Sequence, residues 1–124
     1  MAGVYRDTGA PQPALALLEQ ALPIWRQVGD RAGEATTLGN IALVYHDAGD
    51  LKRALAFYEQ ALSIHRQVGG RGGEAATLCN MGRWHWDFGE KDRARLLWQE
   101  ALRIFEEIES PDAEIVRGFL AENT

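Results

Sequence analysis

The sequence predicts an all-α protein built from antiparallel helix pairs, and three observations support this prediction. Residues 1–40 align with residues 41–80 without a gap and are identical at 24 of 40 positions, and residues 81–120 continue the register with 8 identities. Apolar residues recur at steps of three and four, as on one face of a helix, and no segment alternates like a half-buried strand. Glycine-containing turns separate these segments at short intervals, so consecutive helices must run antiparallel.

Composition places the chain among ordinary globular proteins. Its 124 residues (13.8 kDa) are 46% hydrophobic and 25% charged, enough apolar content for one domain or a short repeat array. The net charge of −5 and the pI near 5.1 argue against binding to nucleic acid or to an anionic membrane.

Targeting and redox signals are equally plain. No apolar run reaches the roughly 18–20 residues of a membrane-spanning helix, and the N-terminal residues lack a secretory signal pattern. Cys79 is the single cysteine, which excludes an intrachain disulfide and a four-cysteine zinc site. We therefore expect a cytoplasmic protein.

The helices of the first repeat are the least regular. We expect a truncated helix at about 1–8, because the chain starts inside the repeat pattern, and then a helix near 11–28. Pro23 lies deep in that second helix, where Ser63 and Arg103 stand in the other repeats. Proline removes one backbone hydrogen bond, so we expect a bend at this point.

The next helices have clearer limits. A stripe of apolar residues predicts a helix near 32–48, which ends at Gly49, and Asp50 is a good N-cap for a helix near 51–68. That helix ends at Gly69 and Gly70. By repeat register, further helices follow near 72–88 and 91–108. Ser110 and Pro111, as N-cap and first helical residue, predict a last helix over about 111–122.

A recurring pattern of large, small and aromatic residues runs through the three units. The pattern comprises Met1-Ala2, Tyr5, Gly9, Ala14, Leu18 and Ala21 in the first unit; Leu38, Ile41-Ala42, Tyr45, Gly49, Ala54, Tyr58 and Ala61 in the second; and Leu78, Met81-Gly82, His85, Gly89, Ala94, Trp98 and Ala101 in the third. Small residues at helix crossings let two backbones approach closely.

This pattern resembles the tetratricopeptide repeat. The period of 40 residues exceeds the common repeat of about 34, and is similar to the long-helix subclass found in kinesin light chains and bacterial regulatory arrays. The resemblance implies a right-handed α-solenoid of about three repeats. Its segments would be a truncated repeat 1–30, repeats 31–70 and 71–110, and a C-terminal helix within 111–124.

Catalytic signals are weak. The segment GGRGGE (69–74) lacks the Lys-Ser/Thr of a phosphate-binding loop and aligns with GDRAGE (29–34), an ordinary turn between helices. The histidines His46, His65 and His85 are too far apart for a local metal pair. We therefore predict a protein that is not an enzyme and uses no metal or cofactor.

The resemblance implies instead a binding surface on the first helix of each pair, which lines the concave face in this family. Asn40 and Asn80 share one repeat position, where an asparagine resembles those that hydrogen-bond the main chain of a bound peptide. The alternative is a solvated or helix-packing side chain. For Trp86 the alternatives are contact with a ligand and partial burial under the last helix. The candidate peptide-binding residues are Arg6, Asn40, Leu43, His46, Asp47, Asn80, Arg83, Trp86 and Asp87.

An aspartate recurs near the C-terminal end of the first helix in each unit, where the helix dipole disfavours it. Arg53 and Arg93, early in the following helix, are the expected partners of Asp47 and Asp87. The alternative is an acidic row, completed by Asp7, that selects basic ligands.

Two functions fit these observations. The first is a module that binds an extended peptide or a segment of a partner protein in the concave groove. The second is a self-associating scaffold, in which a truncated first helix leaves Leu15, Leu18 and Leu22 under-covered and open to a second copy.

Overall fold

The computed structural model describes residues 13–122, which form six α-helices and no strand. The helices begin and end within two residues of the predicted limits, and the predicted helix at 1–8 lies outside the described residues. The all-α fold is therefore confirmed. The helices are α1 (Pro13–Val28), α2 (Arg31–Asp47), α3 (Leu51–Val68), α4 (Arg71–Asp87), α5 (Lys91–Glu107) and α6 (Ala113–Glu122).

Glycine ends four of these helices at equivalent repeat positions. Gly29, Gly49, Gly69 and Gly89 have φ values of +75°, +84°, +71° and +95°, a left-handed conformation that glycine adopts without steric cost. The fifth equivalent residue, Glu109, has a φ of +55°. These tight turns connect consecutive helices through very short segments.

Two local features concern the first and the last helix. Pro23 lies inside α1, which continues without interruption to Val28. The last helix begins at Ala113, two residues later than predicted, because Pro111 and Asp112 form a turn. Ser110 still caps this turn, since its Oγ accepts a hydrogen bond from the Asp112 backbone N–H at 3.1 Å.

The chain divides into two compact units, Met1–Ala61 and Leu62–Thr124. In the first unit α1 packs against α2, and the buried residues of α1 are Leu15 and Leu22. The expectation that these two leucines are under-covered was therefore wrong. Leu18 is half-buried, and the apolar residues that α1 does expose lie on another face.

In the second unit α4 packs against α5, and α5 packs against α6. The crossing of α4 and α5 depends on a small residue: a Cβ added at Gly82 would lie only 2.5 Å from Nε1 of Trp98. That indole N–H donates to the carbonyl oxygen of Cys79 at 3.1 Å. A large ring therefore fills the space that the glycine leaves, and the two backbones approach closely.

A buried glutamate is clamped at the start of α2 and again at the start of α4. Glu34 accepts hydrogen bonds from Arg26 at 3.0 Å and Arg31 at 2.8 Å, although only 4% of its surface is exposed. Glu74 is held in the same way by Arg66 and Arg71. This clamp joins each helix to the one before it, in a segment that the sequence analysis interpreted as an ordinary turn.

The clamp makes stability depend on pH. Burial of Glu34 raises its pKa, but hydrogen bonds from Arg26 and Arg31 lower the pKa more, so that it lies below its usual value. A carboxylate whose pKa is depressed by folding stabilises the protein above its unfolded pKa, and this contribution is lost as the pH falls through the folded value. We expect Glu34→Gln to lose less stability than the wild type between pH 5 and pH 3.

Urea denaturation at a series of pH values measures this difference. Glu59→Gln is the matched control, because it removes an exposed carboxylate from α3. A Glu34→Gln variant whose stability falls with pH as steeply as that of the wild type would contradict the prediction.

The starts of α2 and α4 differ in their caps. Asp30 accepts a hydrogen bond from the Gly33 backbone N–H at 2.9 Å, whereas Gly70 provides no side-chain cap. Each additional glycine in the first turn costs up to about 1 kcal/mol relative to alanine. We therefore predict faster amide hydrogen exchange at 70–75 than at 30–35. Equal or greater protection at 70–75 would refute it.

Candidate functional site

A cleft of about 230 Å³ lies in the second unit, between the C-terminal half of α4 and the end of α6. Two of the predicted binding residues that line it, Arg83 and Trp86, are one turn apart on α4, so both reach the same opening. The lining residues are Arg83, Trp86, Asp87, Trp98, Phe119 and Glu122.

Three aromatic rings form one side of this cleft. Trp86 stacks on Trp98, with ring centroids 5.7 Å apart and planes inclined by 28°, and Trp98 lies 5.4 Å from Phe119. Trp98 is itself fixed by its hydrogen bond to Cys79 and is only 2% exposed. Trp98 therefore anchors the wall from the core, and the half-buried rings of Trp86 and Phe119 present its accessible surface.

Charged groups surround the aromatic wall. Lys91 Nζ lies 4.8 Å from the centre of the Trp86 ring, and the Arg95 guanidinium lies 6.0 Å from it. Arg83, Asp87 and Glu122 line the cleft and are exposed. Such a rim offers both a donor and acceptors to a polar main chain, while the wall accommodates an apolar side chain. Trp86 is half-buried.

The other predicted residues are distributed over both units. Asn80 is half-buried on α4, one turn before Arg83. In the first unit Asn40 and Asp47 are exposed on α2 and Leu43 is half-buried. Arg6 lies outside the described residues.

His46 is buried, and its Nδ1 lies 3.2 Å from the Tyr58 hydroxyl oxygen. The structure thus places His46 in the packed interior of the first unit, where Tyr58 of α3 supplies its hydrogen-bond partner. The expected pairing of Asp47 with Arg53 is replaced by another: Arg53 Nε lies 3.4 Å from Asp50. Its guanidinium also lies 5.7 Å from the centre of the Tyr45 ring.

Sequence reasoning missed Trp98, Phe119 and Glu122 as members of the cleft. Trp98 occupies a repeat position that is normally part of the core, so its second role as a wall gave no separate signal. Phe119 aligns with Cys79 and Gly39, and the repeat pattern therefore offered no reason to expect an aromatic ring there.

A second, more open cleft of about 500 Å³ lies between α5 and α6. Arg117 crosses it and pairs with Glu106 at 2.8 Å and with Glu114. The charge of Arg117 is therefore already matched by two carboxylates. Its lining residues are Phe105, Glu106, Glu109, Ser110, Pro111, Ala113, Glu114 and Arg117.

The single thiol is buried beside α5 rather than placed in an open site. Burial raises the pKa of the Cys79 thiol to about 11, despite the opposing effect of Arg83, so the thiol is protonated near neutral pH and is a poor nucleophile. Between residues 13 and 122, no group of three or more His, Cys, Asp or Glu side chains is arranged to hold a metal ion. No helix in this range has both the length and the apolar character needed to cross a membrane.

Comparison with known proteins gives a consistent result. A family model described as tetratricopeptide repeat matches residues 1–67 and 34–107. A crystal structure of BtubC (BKLC) from P. vanneervenii is similar at 25% identity with a TM-score of 0.66, over 75% of this chain and 38% of that one. No curated protein sequence matches significantly.

A second solved structure shares the fold. The crystal structure of the nearly identical TPR-like repeats of a putative kinesin light chain from Podosopora anserina has 21% identity and a TM-score of 0.73. The similarity covers 98% of this chain and 61% of that one. The chain therefore spans less than two thirds of either solved structure.

Proposed function

Because the chain belongs to the tetratricopeptide repeat family, whose repeats generally mediate protein–protein interaction, we propose that it binds an extended peptide segment of a partner protein. The cleft between α4 and α6 is the anchoring site in this proposal. Repeats of this family are typically non-catalytic scaffolds, in line with the high pKa of the one thiol. A free, buried cysteine also suits a reducing compartment such as the cytoplasm.

The observation that carries the proposal is the aromatic wall of Trp86, Trp98 and Phe119 beside exposed charged groups. Fixed aromatic residues and arginine dominate the energetics of protein interfaces, because they bury a large area at little entropic cost. A bound peptide would insert one apolar or aromatic side chain against this wall. Arg83 would pair with an acidic group or a carbonyl oxygen of the same peptide.

The two asparagines extend the proposed surface along the first helix of each pair. An amide side chain donates and accepts hydrogen bonds at once, which matches both groups of a peptide bond. Asn80 is one turn from Arg83, so a peptide anchored at the cleft would reach it first. Asn40 has the same repeat position on α2 of the first unit, where its amide could bind a peptide group in the same way.

Selection of peptides from a random phage-displayed library, followed by calorimetric titration of the enriched sequence, tests this proposal. We expect Trp86→Ala and Arg83→Ala each to weaken binding by at least about tenfold, as for interface hot spots. Leu96→Ala is the control, since Leu96 is exposed on α5 and does not line the cleft.

Two outcomes would count against the proposal. If no sequence is enriched, or if both cleft variants bind the enriched peptide as tightly as the wild type, the cleft is not the site. If an Asn40→Ala, Asn80→Ala double variant binds with unchanged affinity, the asparagines are not part of the binding surface. The assignment of the cleft would be unaffected by that result.

A further inference from the structure

Helix α1 carries an exposed apolar stripe. Leu17, Ile24 and Val28 are 68%, 59% and 66% exposed, and their spacing of seven and four residues places them on one helix face. The repeat equivalents of Ile24 are Ile64 and Ile104, which are only 7% and 0% exposed. The same position is thus a core position in two repeats and a surface position in the first.

The contacts of the equivalent residues identify what this face packs against. In the first unit Phe57 of α3 stacks on Tyr45 of α2 with ring centroids 5.6 Å apart, and a Cβ added at Gly39 would lie 4.0 Å from Ala61. In the second unit a Cβ added at Gly72 of α4 would lie 3.8 Å from Ile108. The face is therefore the one with which the second helix of a pair contacts the first helix.

Helix α6 has the complementary character. By repeat register it is a first helix, equivalent to α2 and α4, and it buries Ala113 and Val116. Ile115 is nevertheless 57% exposed, although its equivalents Ala35 and Ala75 are completely buried. Thus α6 exposes a position that a following second helix covers in the other pairs.

The repeat register determines how the two faces would meet. In the α4–α5 pair Gly72 lies opposite Ile108. The residue of α6 that is equivalent to Gly72 is Asp112, and the residue of α1 that is equivalent to Ile108 is Val28. The same antiparallel pairing then brings Ile115 beside Ile24, so that the two exposed isoleucines meet. In the same register, Gly39 and Ala61 become Phe119 and Ala21.

We propose that α6 of one copy packs antiparallel on α1 of a second copy, reproducing between two molecules the helix pair that the chain forms internally. The contact uses α6 of one copy and α1 of the other, so each dimer keeps one uncontacted α1 and one uncontacted α6. Further copies can therefore bind at either end. Phe119 and Glu122 belong both to this contact and to the lining of the cleft, so the two surfaces overlap on α6. The affinity is modest, because the polar Asp112 and Glu122 flank the apolar contact.

Sedimentation equilibrium over a range of concentrations tests this proposal. The wild type should show a mass that rises with concentration past that of a dimer. Ile24→Glu and Ile115→Glu should each weaken association at least about tenfold, because a carboxylate in the contact must lose its hydration without a partner. Leu96→Glu, which adds a charge at an exposed site of α5, is the control and should associate like the wild type.

Mixing the two variants provides the sharpest arm of the experiment. Ile24→Glu retains an intact α6 and Ile115→Glu an intact α1, so an equimolar mixture should form a dimer that does not grow further. A wild type that stays monomeric up to about 1 mM, the weak end of protein affinities, would overturn the proposal. So would association that Ile24→Glu abolishes but Ile115→Glu leaves unchanged, since this result indicates symmetric pairing of two α1 helices.

A stability measurement distinguishes self-association from packing of another segment of the same chain on α1. Urea denaturation of monomeric protein at low concentration should give Ile24→Glu nearly the wild-type free energy of unfolding, because Ile24 is exposed in the single chain. A variant that loses stability but associates like the wild type would also overturn the proposal. That result would indicate that another segment of the same chain occupies this face.

Discussion

Replacing Trp98 by alanine is expected to lower the free energy of unfolding by about 3–5 kcal/mol, as for other buried aromatic residues that are truncated to alanine. Trp98 is 2% exposed, fills the space above Gly82 and donates a hydrogen bond to the Cys79 carbonyl. Its loss leaves a cavity and removes the second hydrogen bond of the Cys79 carbonyl, which still accepts the backbone hydrogen bond of α4.

Urea denaturation followed by far-UV circular dichroism measures the loss. Trp86→Ala is the matched control, because this half-buried ring of the same cleft should cost clearly less. If Trp98→Ala destabilises the protein no more than Trp86→Ala, then Trp98 is not the packing centre of the second unit.

Gly82→Ala is expected to destabilise the protein by about 1–3 kcal/mol through overpacking, although alanine is normally the better helix former. The reason is the 2.5 Å that would separate the new Cβ from Trp98 Nε1. In the second repeat the equivalent residues are Ala42 and Tyr58, both completely buried. The double variant Gly82→Ala, Trp98→Tyr recreates that pair and should be more stable than the sum of the two single losses implies.

Gly118→Ala serves as the control for this double-mutant cycle. It lies in α6, where an added Cβ meets no atom within 4 Å, and should leave stability unchanged or raise it by up to about 1 kcal/mol. Additive losses in the Gly82 and Trp98 cycle would show that the sizes of the two residues are not coupled.

The helices could be predicted because the residues that begin and end them recur at the same positions in each repeat. Glycines recur every 20 residues at the helix ends, from Gly29 to Gly89, and the apolar stripes between them have the period of a helix. Small residues such as Gly82 also predicted the close helix crossings, because a small side chain leaves room for a large residue of the facing helix.

Features that join different helices were harder to predict. In the Glu34 and Glu74 clamps the arginine lies eight residues before the glutamate, on the other side of a turn. The sequence of the turn alone does not show that these two side chains meet. Which apolar face of α1 is covered depends on its neighbours, so the sequence suggested Leu15 and Leu22 where the structure exposes Leu17 and Ile24.

The candidate site was predicted in part. Arg83, Trp86 and Asp87 follow from their place on the first helix of a pair, and the structure brings these three to one cleft. Phe119 and Glu122 could not be expected, because the last helix departs most from the repeat consensus. His46 shows the converse case, since a residue at a surface position of the family is buried here beside Tyr58.

Chemical-shift mapping with an enriched peptide is the most direct test of the proposed binding site. Titration of the peptide into ¹⁵N-labelled protein should shift the amide signals of Asn80, Arg83 and Phe119 and the indole N–H of Trp86, with smaller changes elsewhere. Shifts confined to the second cleft, around Ser110 and Arg117, would contradict the assignment of peptide binding to the aromatic cleft of α4 and α6.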